Sequence, residues 1–200
     1  MNRLRLIIVL SLTTLVVVLI GWVLSPVTIV PPAAPMSPVT VYVTEGTVHA
    51  GLALPTSTGS LMHYAYGDWR YFALNERGLG DGIRALFLPT SGALGRREFD
   101  NVADLKQAVE NAEDSTLLSF KVAGAEATQL LQMLGDRFNQ NIDTQVHNPL
   151  TRMSLVQVDR DYTLLNNSNH ELVNWLQDLS CQVEGLILLA DFQVQPDQAS

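Results

Sequence analysis

The amino-acid sequence predicts an α+β domain, with a mixed or antiparallel sheet and about three helices, behind one N-terminal transmembrane helix. Segments with strand and helix patterns follow one another without the strict alternation that a parallel βαβ sheet requires. The N-terminal part holds a long apolar run, from Leu6 to Leu24, that contains no charge. The single cysteine, Cys181, allows no intramolecular disulfide, so we expect core packing to supply the stability.

The apolar run from Leu6 to Leu24 is nineteen residues long. A helix rises about 1.5 Å per residue, so about 20 apolar residues cross a hydrocarbon core about 30 Å thick. Arg3 and Arg5 favour a cytoplasmic N-terminus at residues 1–5. We therefore predict an uncleaved signal-anchor at 6–24, a single-pass membrane location and a domain outside the cytoplasm. The alternative is a cleaved secretory signal, whose apolar stretch is typically about 7–15 residues long.

A proline-rich stretch follows the predicted anchor at residues 25–38. Five of these fourteen residues are proline, which fixes φ and removes a backbone donor. We expect an extended spacer that lies outside the core. The remaining residues, 39–200, have a normal length for a single domain with its own core.

Alternating patterns predict the strands. Residues 39–43 alternate with period two, and the pattern resumes from 47 to 54, which predicts a hairpin or two adjacent strands. In the second strand Gly51 and Ala53 share a face with His49, so small residues leave room beside that imidazole for another group. Further strands are predicted at 61–65, 116–122, 153–158, 162–165 and 185–194.

Apolar residues with helical spacing predict three helices. They recur on one face of the segments 101–111, 126–138 and 169–179. The polar segment 139–151 contains Pro149 and is predicted to be a loop, as is the glycine-containing segment 75–82.

The charge of the chain limits its partners. Twelve basic and 20 acidic residues give a net charge of −8 at pH 7. A surface of that sign repels phosphate backbones and anionic lipid heads, so we expect no nucleic-acid partner. An excess of acidic residues is also what keeps an ordinary domain soluble.

Three segments could carry chemistry, and the first two are those around His49 and Asp68. His49 lies on a predicted strand, and an imidazole can act as a general base. Asp68, with His63 close by in the sequence, could orient an imidazole or accept a substrate hydroxyl. The alternative for this second segment is purely structural, with Gly67 allowing a bend at a strand end and Trp69 filling the core.

The third segment, residues 165–171, lies at a predicted strand-to-helix junction. A nucleophile at Ser168 would lie at the positive end of the helix dipole, which favours a developing oxyanion. The spacing of Ser168 and Glu171 is also that of a capping box, which by itself would explain the serine. His170 and Glu171 begin a zinc-binding H-E-x-x-H pattern, but Asn174 replaces the second ligand, so we expect no metal.

Taken in order, these segments resemble an uncharacterised family, domain of unknown function 2459 (urease-region conserved hypothetical proteins). Its members carry a strand with G-W-H-T that ends in V-L-P, a G-D-containing aromatic stretch, and a T-C-N-x-W motif that opens a helix. Here residues 49–55 keep the histidine and the proline six residues on, 66–69 match the middle stretch, and 167–169 stand where T-C-N would lie. The order is also similar to that of circularly permuted papain-like (NlpC/P60-type) hydrolases.

This resemblance implies a catalytic set made of His49 as base, Asp68 or His63 as its orienting partner, and position 168 as nucleophile. The candidates for substrate binding are His63, Trp69, Asn169 and His170, and no cofactor is implied.

Position 168 is serine, however, where the family has cysteine. A serine hydroxyl has a much higher pKa than a thiol and needs a base in hydrogen-bond contact. We therefore expect a binding or structural module derived from a hydrolase fold, a possible pseudoenzyme, with a cell-envelope small molecule or peptide as ligand. The alternative is an active serine hydrolase or acyltransferase that acts on cell-envelope amide or ester bonds. A third possibility, a subunit that docks through the aromatic residues of 64–72, requires those residues to be exposed.

Overall fold

The computed structural model describes residues 11–14, 25–46, 50–76, 89–112, 115–163, 166–187 and 191–196. Within these ranges the fold is a mixed α/β arrangement of ten strands in two sheets, three α-helices, a π-helical turn and a 3₁₀ turn, besides a helical stretch at 11–14. The sheets are larger than the predicted α+β domain implies, so the predicted fold class was wrong.

Seven strands form one antiparallel sheet and three form a small second sheet. The strands are β1 Val27–Val30, β2 Pro38–Glu45, β3 Gly51–Pro55, β4 Leu61–Asp68, β5 Thr90–Phe99, β6 Thr116–Ala123, β7 Val146–Asn148, β8 Met153–Tyr162, β9 Gln182–Glu184 and β10 Phe192–Val194. The large sheet has the order β6-β2-β3-β4-β5-β8-β7. In the small sheet β1 lies between β10, to which it is parallel, and β9, to which it is antiparallel.

The helices are α1 Val102–Glu110, α2 Gly124–Gln140 and α3 Ser168–Asp178, with a π-helical turn at Trp69–Ala73 and a 3₁₀ turn at Ile142–Thr144. The three α-helices lie where helical spacing predicted them. Each has an apolar stripe that the sheet can cover, so the local pattern was sufficient to locate it.

Helices cover both faces of the large sheet. Successive side chains of a strand point to opposite faces, so each strand contributes to two cores. On the face that we name the α2–α3 face, Leu52, Tyr64 and Tyr66 pack with the apolar sides of α2 and α3. On the opposite face, named the α1 face, Ala53 and Phe99 pack against α1 and the π-helical turn covers a neighbouring cluster. The large sheet thus separates two layers of helix.

No sequence pattern predicted β5, the ten-residue strand Thr90–Phe99, which lies between β4 and β8 in the large sheet. Its glycines and consecutive arginines interrupt the alternation, and glycine is depleted in strands. A Cβ atom on Gly92 would lie 2.2 Å from the Tyr66 hydroxyl oxygen, and one on Gly95 would lie 3.1 Å from Met153 Cε. The glycines are required because side chains of neighbouring strands occupy that space.

The proline-rich segment 25–38 is not a spacer outside the core. Val27 and Ile29 of β1 are fully buried and belong to the main core cluster. The prediction was wrong because the prolines flank β1 rather than interrupt it, and β9 and β10 from the C-terminal part of the chain pair with both of its edges.

The predicted N-terminal anchor also needs correction. Most of the segment 6–24 lies outside the described residues, and its described part, 11–14, is helical with exposed side chains. In the described ranges, no helix combines the length and the apolar character that crossing a membrane requires. The predictions of a signal-anchor, a single-pass membrane location and an extracytoplasmic domain are therefore withdrawn.

A buried carboxylate ties α2, α3 and β8 together on the α2–α3 face. The side chain of Glu171 is 2% exposed, and its two oxygens lie 2.5 Å from Arg137 Nη1 and Arg160 Nη1. The side chains of Arg137 and Arg160 are 26% and 46% exposed, so water reaches both guanidinium groups. Removal of both arginines would leave a buried charge without a partner, whereas removal of the carboxylate would leave two guanidinium groups that water can solvate.

We expect the double variant Arg137→Met/Arg160→Met to lower the free energy of unfolding by about 3–5 kcal/mol, because it leaves Glu171 buried without a partner. Glu171→Gln should cost less, about 2 kcal/mol or below, because water can solvate the two arginines. Urea denaturation of the three proteins measures the difference. Equal losses would show that the carboxylate is not the dependent partner.

Candidate functional site

A pocket opens on the α1 face, between α1 and the large sheet. It encloses about 170 Å³. Its apolar wall is formed mainly by Phe72, Phe99, Leu105, Ala108, Val109 and Met153. Its polar lining includes Thr44, His63, Arg97 and Thr151. A mostly apolar cavity with a few convergent polar groups is the usual form of a small-molecule site.

Small residues in register across β3, β4 and β5 leave the space in which His63 lies. Gly51 pairs with Ala65, and Ala65 pairs with Gly95. A Cβ atom on Gly51 would lie 2.3 Å from Nε2 of His63, so the imidazole occupies the space above that glycine. The sequence predicted that the small residues on this strand leave room for another group beside His49, and in the structure the His63 imidazole lies in the space above Gly51.

His63 is held in the pocket wall by neighbours on β2 and β5. Its Nε2 lies 2.8 Å from Thr44 Oγ1 on β2, and its ring packs edge-on against Phe99 on β5. Burial, together with the positive charge of Arg97, lowers the pKa of His63 to about 4. The imidazole is therefore neutral at pH 7, with one nitrogen that donates and one that accepts.

Asp68 lies at the end of β4, but it does not approach His63. Its Oδ1 accepts a hydrogen bond of 2.7 Å from the backbone N–H of Tyr71 and caps the π-helical turn, and its Oδ2 accepts from the hydroxyl of Thr90. The two residues are five positions apart on a strand without a bulge, so their side chains point to opposite faces. Asp68 therefore cannot orient the His63 imidazole.

Ser168 is the first residue of α3 and is not its cap. The cap is Asn167, whose Oδ1 accepts from the backbone N–H groups of Asn169 at 3.0 Å and His170 at 3.2 Å. The predicted capping box does not form, because the carboxylate of Glu171 binds Arg137 and Arg160 instead. The sequence spacing was correct for a box, but the long-range ion pairs override it.

A tyrosine that sequence reasoning missed connects two of the predicted site residues. Ser168 is hydrogen-bonded to Tyr162, and the carboxylate of Asp68 is close enough to act on the same phenol. Burial raises the pKa of Tyr162, with Asp68 adding to the effect. No local sequence pattern predicts that Tyr162 contacts Ser168, because this contact depends on the position of β8 in the sheet.

The sheet separates His63 from Ser168. Helix α3 packs on the α2–α3 face, whereas His63 points into the pocket on the α1 face. Among the described residues His63 is therefore not a base for Ser168. His49 lies outside the described residues, so its pairing with Ser168 stays a prediction.

The other predicted site residues fall in two places. Trp69 belongs to the π-helical turn, where it is partly buried against the Phe72 cluster. Asn169 and His170 lie at the start of α3, and His170 Nδ1 is 2.9 Å from Asn167 Oδ1. Burial lowers the pKa of His170, and the charge of Arg160 adds to this. Asn169 and His170 therefore lie at the N-terminus of α3 and not in the pocket.

Most of the aromatic residues of the segment 64–72 are buried. Tyr64, Tyr66 and Phe72 are almost completely buried and offer no surface to a partner. Trp69 and Tyr71 are half-buried.

Two further kinds of chemistry have no support in the described part of the chain. Burial raises the pKa of the Cys181 thiol to about 12, with Glu126 adding to the shift, so Cys181 is not a nucleophile at neutral pH. Among the described residues, no group of three or more histidine, cysteine, aspartate or glutamate side chains could hold a metal ion.

Comparison of the chain with known protein families, with characterised proteins and with solved structures finds no match. The resemblance to domain of unknown function 2459 therefore stays a prediction. The interpretation of the site consequently depends on its geometry.

We expect acid to destabilise the protein through His63. Its pKa is about 4 when folded and about 6.5 when unfolded, so the unfolded state binds more protons between these values. Stability is complete above pH 6.5 and decreases as the pH falls towards 4, by at most about 3 kcal/mol. Denaturation at several pH values should show a shallower acid slope for His63→Gln.

His147 provides the matched control, because it is exposed on β7. His147→Gln should keep the wild-type slope. Charged residues in the pocket wall, Arg97 and Glu45, are present in all three proteins, so the difference isolates His63. An unchanged slope in His63→Gln would contradict the assignment.

We expect Asn167→Ala to lower the free energy of unfolding by about 1–2 kcal/mol, because two backbone N–H groups of α3 lose their acceptor. Asn167→Ser should restore most of that loss, since serine is also a good cap. Thermal and urea denaturation measure both. A neutral Asn167→Ala together with a damaging Ser168→Ala would instead identify Ser168 as the cap.

Proposed function

We propose that this protein is a binding module whose site is the pocket between α1 and the large sheet. The observation that carries the proposal is the neutral His63 held against Thr44 in the wall of an apolar cavity. A polar group buried in an apolar wall costs stability unless it is hydrogen-bonded, as His63 is to Thr44. Perturbed histidines in such cavities are characteristic of functional sites.

The alternative, a serine hydrolase or acyltransferase, has weaker support. Ser168 is buried at the start of α3 and its hydrogen-bond partner is Tyr162. Burial raises the pKa of that phenol, so Tyr162 stays protonated at pH 7 and does not serve as a general base. His63 lies across the sheet and does not supply the missing base.

We expect Ala108→Phe to abolish binding of ring-sized fragments, because a phenyl group on α1 would fill the pocket. Toluene is a suitable probe, and saturation-transfer NMR measures its binding. Ala103→Phe is the matched control, because Ala103 lies on the exposed side of the same helix. This variant should bind toluene as the wild type does.

Toluene binding that survives in Ala108→Phe, or is absent from the wild type, would overturn the assignment of the pocket. A fluorophosphonate tests the alternative independently. Labelling that Ser168→Ala abolishes would establish an activated serine and favour the hydrolase.

A further inference from the structure

We infer that the pocket binds a small organic carboxylate, with its ring or short chain in the cavity and its carboxylate at Arg97 and Arg152. This rests on the proposed function, since it names the class of ligand that the pocket takes. It follows from two arginines, a buried hydroxyl and the size of the cavity.

Arg97 brings a positive charge into the wall of the pocket. It lies directly across from His63 in the β4–β5 register and its guanidinium is 4.3 Å from the centre of the Phe99 ring. The ion pairs formed within the described ranges involve Arg70, Arg137 and Arg160, and leave Arg97 without a carboxylate partner there. A guanidinium presents donors in a fork that matches a carboxylate.

Arg152 adds a second positive charge beside the first. It lies in the turn between β7 and β8, next to the pocket residues Thr151 and Met153. Burial lowers the pKa of the Arg97 guanidinium, and the nearby charge of Arg152 adds to this effect. Two like charges repel each other, and an anion between them removes the repulsion. In a chain whose net charge is −8, this local arrangement favours an anionic ligand.

The acidic residue of the pocket wall does not neutralise these arginines. Glu45 directs Oε1 to the backbone N–H of Phe192 at 3.0 Å and Oε2 to the hydroxyl of Thr116 at 3.1 Å. Its carboxylate therefore connects β2 to β6 and β10 and does not pair with the arginines.

The hydroxyl of Thr151 indicates where a ligand oxygen would lie. Its Oγ1 is buried and has no hydrogen-bond partner among the described residues. Buried polar atoms without partners are uncommon in folded proteins. Because Thr151 lines the pocket next to Arg152, a carboxylate oxygen there would accept its hydrogen bond.

The cavity limits the apolar part of the ligand. Its volume of about 170 Å³ is close to that of an apolar cavity of about 150 Å³ that accommodates benzene. One aromatic ring or a short alkyl chain fits inside it. A small free carboxylate places its whole apolar part in this volume, and the C-terminus of a peptide is the other source of a carboxylate, which the test distinguishes.

Calorimetric titration of the full chain with three probes tests the inference. We expect benzoate to bind at least about tenfold more tightly than benzamide, which has the same shape without the charge, and acetate to show no binding. Equal affinities for benzoate and benzamide would overturn the inference while leaving the proposed function intact. Loss of binding for both ring probes, together with no binding of toluene, would overturn the proposed function itself.

Variants assign the charge recognition to the two arginines. Arg97→Met should reduce the affinity for benzoate about tenfold and leave benzamide unchanged. Arg96→Met is the matched control, because Arg96 is adjacent but stacks on Phe138 on the opposite face. Arg152→Asn provides a second test at an exposed turn, where asparagine tolerates the φ of 55°.

Benzoate affinity that is unchanged in both Arg97→Met and Arg152→Asn would overturn the assignment of the carboxylate to these residues. Tighter binding of an acetylated peptide with a free C-terminal phenylalanine than of benzoate would also overturn it, in favour of a peptide ligand.

Discussion

The fold depends on close approach between neighbouring strands of the large sheet, which glycine makes possible. The His63 imidazole occupies the space that a Cβ atom on Gly51 would need, and the Tyr66 hydroxyl occupies the corresponding space at Gly92. On the α1 face this creates the pocket wall. On the α2–α3 face it lets Tyr66 donate a hydrogen bond of 3.0 Å to the backbone carbonyl of Arg160, on the strand that provides a partner for Glu171. Glycines in the sheet thus allow close packing on both of its faces.

The sheet also decides which polar groups can act together. Strand β4 carries His63 towards the α1 face and Asp68 towards the other, because side chains alternate along a strand. Asp68 and Ser168 consequently meet near Tyr162, while His63 meets Thr44 and Arg97. Residues that the sequence grouped into one catalytic set are divided between two sites with different chemistry.

Arginine has a different role on each face. On the α2–α3 face Arg137 and Arg160 neutralise a carboxylate that is 2% exposed, which makes them part of the packing. On the α1 face Arg97 and Arg152 lie close to each other at a cavity, and the acidic residue there is bound elsewhere. The ion pairs on the α2–α3 face thus belong to the packing of the protein. The two neighbouring arginines on the α1 face are the basis of the carboxylate site that we propose.

The sequence by itself determined the three α-helices and the small surface at Gly51, because helical periodicity and strand alternation act over a few residues. Only the tertiary structure decided that the proline-rich segment contains a buried strand, since β9 and β10 arrive from about 150 residues away in the chain. The same holds for β5, whose glycines have meaning only beside Tyr66 and Met153. At the site, Gly51 and Ala53 predicted space for a group that the sequence could not identify, and the strand register placed His63 there. Ion pairs with Arg137 and Arg160 likewise kept Glu171 from forming its predicted capping box.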